Sequence, residues 1–192
     1  MKRKAGLAWD CELTFNRYIE DCGVQCETVT PQMIAAPFYR GRYVGLVIPT
    51  GFGNPNYSGL LPALKASASR IRAFVEHGGN LLVCGAMSSR PGAYDWLPID
   101  VEYCHEYFTA RVHINQDRPF ASILEDFDCD AVECDGFFTR YEGTPIVTSG
   151  EGRTLMFSEQ LGRGTIVVTA VHEYPSRSFL RAFCSHDKET LF

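Results

Sequence analysis

The run 43-YVGLVIP-49 carries no charged residue. Apolar side chains at consecutive rather than alternate positions mark a strand buried on both faces, the signature of a central strand in a parallel sheet. Parallel neighbours need a long crossover between them, and the sequence supplies one. Residues 50-TGFGNPNYSG-59 read as a loop. In 60-LLPALKASASRIRAFVEHGG-79, Leu64, Ala68, Ile71, Phe74 and Val75 share a helical face, and Gly78-Gly79 ends it. A second apolar run, 81-LLVC-84, follows.

The same alternation lies upstream. Residues 5-AGLAW-9 predict a first strand ending at Asp10, 13-LTFNRYIEDCG-23 a helix, and 24-VQCETVT-30 a second strand. A short helical or irregular piece, 31-PQMIAAPFY-39, comes next. This order predicts an α/β fold, a parallel sheet flanked by helices on both faces. Functional groups in such folds collect at the carboxyl ends of the strands, where Asp10, the 50–57 loop and Cys84 fall.

The second half alternates differently. Residues 99–114 and 131–149 predict antiparallel strands forming an edge extension of the sheet, and 153–160 with 165–171 a hairpin whose second arm returns to the centre. Residues 176-SRSFLRAFC-184 predict a final helix capped by Ser176. Without a repeat or a linker, residues 1–192 read as a single domain.

Charge and cysteine content narrow the function. A net charge of −5 argues against nucleic-acid binding. The basic cluster Lys2-Arg3-Lys4 reads as a solvated terminus. No apolar run is long enough to span a bilayer or to form a signal-peptide core, which predicts a cytoplasmic protein without a membrane partner. The eight cysteines are then expected to be free thiols. None shows paired zinc-site spacing, and 51-GFGNPN-56 lacks the third glycine of a dinucleotide fingerprint, so neither metal nor cofactor is expected.

Three stretches each follow a strand: 49-PTGFGNP-55, 83-VCGAM-87 and 170-AVHEYPS-176. Together they resemble the class I glutamine amidotransferase-like superfamily, which has a flavodoxin-like α/β fold. Gly51, Gly53 and Pro55 match its Gly-x-Gly-x-Pro loop, Cys84 its nucleophile, and His172 its late histidine. The resemblance implies a thiol hydrolase of amidase type. Cys84 would attack a carboxamide, with His172 as base and then acid. Backbone amides of Gly85, Gly51 and Gly53 would face the oxyanion.

The sequence departs from that pattern at three positions. Leu82 stands where the family has the glycine of its sharp nucleophile turn, and Ala86 replaces a second glycine. Tyr174 replaces the glutamate of His-x-Glu, which leaves the adjacent Glu173 as an imperfect orienter of His172. The stretch 74-FVEHGGNLLVCG-85 with 97-LP-98, and also 134-CDGFF-138, resemble branches of the superfamily that have lost the triad. Two functions stay open: the hydrolase, and a non-catalytic domain binding a small ligand or assembling with itself or a partner. A working nucleophile would show backbone strain at Cys84 and reach His172 by a hydrogen bond; otherwise the thiol would point into the core.

Overall fold

Alternate residues of the central strands face two separate apolar cores. In strand β4 (Gly45–Ile48), Leu46 and Ile48 enter one core and Val47 the other; in β5 (Asn80–Val83), Leu81 and Val83 oppose Leu82. All six side chains are fully buried. This computed structural model describes residues 3–192, so Lys2 of the basic cluster lies outside the described residues.

The parallel part of the sheet has the order β2-β1-β4-β5-β11, where β1 is Lys4–Ala8, β2 Gln25–Val29 and β11 Gly164–Thr169. The chain runs from β1 outward to β2, then crosses back to β4 on the other side of β1, which opens a crevice beyond the carboxyl ends of these strands. Helices α1 (Thr14–Asp21) and α5 (Arg177–Phe183) cover one face through Phe15, Ile19, Phe179 and Phe183. Helices α2 (Pro31–Ala35), α3 (Leu60–Ala66) and α4 (Ala68–Glu76) cover the other through Ile34, Leu64, Ile71 and Phe74.

Residues 60–79 are therefore two helices, not the one that periodicity predicts. The break is at Ser67, whose hydroxyl donates to the Ile34 carbonyl at 2.7 Å and ties the joint to α2. The apolar run at 43–48 is also divided. Arg42–Tyr43 forms β3, which leaves the main sheet to pair with β12 (Thr190–Leu191) near the chain end.

The antiparallel extension is as expected. Strand β10 (Thr154–Leu161) pairs with β11 as a hairpin and continues to β8 (Val132–Tyr141) and then to the edge strand β6 (Val101–Ala110). Strands β7 (Val112–Ile114) and β9 (Thr144–Ser149) pair with each other, and β9 also with β10. Ser176 caps α5, its hydroxyl accepting from the Phe179 amide at 3.1 Å. All eight cysteines are free. Among the described residues, no helix is long and apolar enough to cross a membrane.

Candidate functional site

A cavity of about 240 Å³ opens at the carboxyl ends of the parallel strands. Leu13 and Phe15 line it after β1, Pro49 and Thr50 after β4, Cys84 and Met87 after β5, and His172 to Pro175 after β11. The structure thus brings Cys84, His172 and Glu173 to one place. Asp10 is not there. It accepts from the Ser58 hydroxyl and from the Gly59 amide, bracing the start of α3 rather than capping α1.

Cys84 ends β5 with its side chain in the core that α1 and α5 cover, and it is 6% exposed. Its amide donates to the Ile48 carbonyl, continuing the parallel ladder for one residue. The left-handed backbone of this turn is at Met87 (φ 48°), three residues on, and not at Cys84. Tyr94 fixes the turn from beneath: its buried hydroxyl accepts from the Ala86 amide at 3.1 Å and donates to the Cys84 carbonyl at 3.3 Å. Burial pushes the Cys84 thiol up to about 12, and the Asp135 carboxylate adds to the rise; the Thr50 hydroxyl and amide oppose it in part. The sulfur is therefore held as a neutral thiol at physiological pH.

The acid beside His172 is Asp135, not Glu173. Asp135 Oδ1 and His172 Nδ1 share a hydrogen bond of 2.8 Å, with the carboxylate fully buried and the imidazole 42% exposed. Strand β8 carries Asp135 to this point, and its backbone is held on both sides. Its amide donates to the Ala170 carbonyl, and its carbonyl accepts from Tyr103 Oη at 2.6 Å and His105 Nδ1 at 2.8 Å. The bond between Asp135 and His172 Nδ1 fixes the orientation of the His172 ring. The second carboxylate oxygen, Oδ2, is buried without a hydrogen-bond partner among the described residues. Desolvation accordingly raises the Asp135 pKa, against the opposing influence of His172, His105 and the nearby Thr50 hydroxyl.

Two of the three glycines expected at the oxyanion have their amides engaged within the fold. The Gly51 amide donates to the Gly85 carbonyl at 2.8 Å and the Gly53 amide to the Ala86 carbonyl at 3.0 Å, so neither is free to meet a substrate. This corrects the role expected for both. Gly51 adopts a left-handed φ of 92°, which glycine tolerates. Gly85 has a steric task of its own. A Cβ there would lie 2.9 Å from both Cβ and Oδ2 of Asp135. Tyr174, in the place of the expected acid, stacks on Phe15 with ring centroids 4.4 Å apart.

Sequence reasoning missed Asp135 and Thr50. The available signal for Asp135 was an acid set among apolar residues and followed by glycine, 132-VECDGFF-138. Among the described residues, no group of three or more His, Cys, Asp or Glu is arranged to hold a metal ion.

No protein-family model matches the sequence, and no curated protein matches it. Solved structures do. One, assigned as a GMP synthase component from Thermoplasma acidophilum, is 15% identical, with a TM-score of 0.66 over 96% of this chain and 94% of that one. A glutamine amidotransferase from Thermotoga maritima is 14% identical, with a TM-score of 0.57 over 90% and 76%. A β-galactosidase from the Antarctic haloarchaeon Halorubrum lacusprofundi is 14% identical, with a TM-score of 0.59 over 98% and 31%, so this chain spans under a third of that protein's length. The fold is that of the class I glutamine amidotransferase-like proteins.

Proposed function

We propose that this glutamine amidotransferase-like fold serves as a small-ligand-binding domain, its cavity at the strand ends retained and the thiol chemistry of the fold given up. One observation carries the reading: Cys84 lies in the core as a neutral thiol beside a buried carboxylate, while the His172 imidazole is engaged by that carboxylate. A thiolate nucleophile needs a positive neighbour and a lowered pKa, and here both influences have the opposite sign. The cavity supports binding. It is concave and largely apolar, and His172, Glu173 and Thr50 supply a few convergent polar groups.

A thiol hydrolase is the second reading. Cys84 and His172 line one cavity, and Asp135 orients the imidazole as a base would require. The alkylation rate of Cys84 as a function of pH, followed by mass spectrometry beside the other seven cysteines, separates the two. Under the binding reading Cys84 reacts slowly at neutral pH, and His172→Ala leaves its rate unchanged. Fast modification at neutral pH that is lost in His172→Ala overturns that reading and directs the work to glutaminase and amidase assays.

A further inference from the structure

Two exposed tyrosines lie near His172, and one of them, Tyr174, lines the cavity. Tyr174 is stacked on the buried Phe15 ring at an interplanar angle of 9°, and its hydroxyl meets that of Thr14 at 3.2 Å, yet it is 43% exposed. Tyr107, from β6, stands edge-on to His172 with centroids 6.1 Å apart and is 58% exposed. Glu133 lies close enough to its hydroxyl to raise the phenol pKa. A ring held in place but left in water, as Tyr174 is, loses little freedom when a ligand stacks on it.

Size and charge narrow the ligand. About 240 Å³ is below the range of roughly 300–1,000 Å³ that accommodates drug-sized molecules, which leaves room for one ring and one small substituent. Among the described residues no lysine or arginine lines the cavity, whereas Glu173 does and Glu133 lies at Tyr107. Arg177 is turned to the Tyr18 ring. An anionic ligand would meet like charge there without a fixed cation to offset it.

We infer that the cavity takes a small planar aromatic or heteroaromatic molecule bearing an uncharged hydrogen-bonding group such as a carboxamide, its ring against Tyr174 and its polar group at His172. This rests on the reading of the cavity as a ligand site. The test is a titration of the ¹⁵N-labelled chain with benzamide, cyclohexanecarboxamide, benzoate and propionamide, followed by backbone amide shifts.

Benzamide is expected to give saturable shifts around His172 and Tyr174, and the other three to bind at least about threefold more weakly. Tyr174→Ala weakens benzamide roughly two- to tenfold, and Tyr174→Phe retains the wild-type affinity. If cyclohexanecarboxamide or propionamide binds there as well as benzamide, the planar-ring inference fails. If benzoate does, the charge inference fails. Either outcome leaves the ligand-site reading standing. Absence of saturable shifts at these residues with all four compounds overturns both.

Discussion

Replacing Asp135 by asparagine isolates the most unusual group in the structure. The parent carboxylate is fully buried, makes one side-chain hydrogen bond to His172, and leaves Oδ2 without a partner among the described residues. An unpaired buried acceptor carries a penalty of roughly 1–3 kcal/mol, and more when charged. Asparagine keeps an acceptor for His172 and removes the charge, so Asp135→Asn is expected to exceed the parent in stability by roughly 1–2 kcal/mol at neutral pH and above. For a chain of this length that is about 2–8 °C in Tm.

The sign with pH follows from linkage. The folded-state pKa of Asp135 is raised above its usual 3.8, so the folded chain binds more protons than the unfolded one between the two values. The contribution of the carboxyl to stability is complete below the unfolded pKa and is lost as pH rises through the folded one. The advantage of asparagine should therefore be absent near pH ~4 and grow as pH rises. Urea unfolding at a series of pH values, followed by tryptophan fluorescence, measures both. A variant less stable than the parent by more than about 1 kcal/mol throughout, or a difference between the two that does not change with pH, refutes the reasoning that burial outweighs the bond to His172.

Asp135→Asn also removes a charge that raises the Cys84 pKa, so Cys84 alkylation should accelerate at a fixed pH. Gly85→Ala places a methyl group 2.9 Å from Asp135 and should cost about 1–3 kcal/mol in urea unfolding; a neutral effect would show that β8 shifts freely there. Tyr94→Phe deletes the buried hydroxyl that bridges the Ala86 amide and the Cys84 carbonyl. It should cost roughly 1–3 kcal/mol and raise the Cys84 alkylation rate as the turn loosens. An unchanged rate would show that the turn does not need that bridge.

The parts of the fold legible in the sequence are those where burial is written into consecutive residues. The runs at 43–49 and 81–84 gave two central strands because both faces of each are covered. The hairpin at 153–171 was legible from its turn. The break at Ser67 was not, because its cause is the Ile34 carbonyl on another helix. The site divides in the same way. The positions of Cys84 and His172 follow from strand ends, which are local. Asp135 reaches His172 because β8 pairs antiparallel with residues 170–172 just beyond β11, and nothing in the spacing of residues 84, 135 and 172 encodes that pairing. The Gly51 and Gly53 amides show the converse: their motif is local, but their acceptors, the Gly85 and Ala86 carbonyls, belong to another loop.

The insertion of β11 between β5 and β10 also sets an order of events during folding. The β10–β11 hairpin closes through a short turn at Gly162 and Arg163, an event of microseconds. Its parallel docking on β5 must bring residue 81 beside residue 166 across the intervening chain, a slow step dominated by loop closure. Until then β11 presents Ile166, Val167 and Val168, which the finished fold buries completely, along an open edge. That edge is the one through which two partly folded copies would pair with each other, so dilute refolding should limit aggregation.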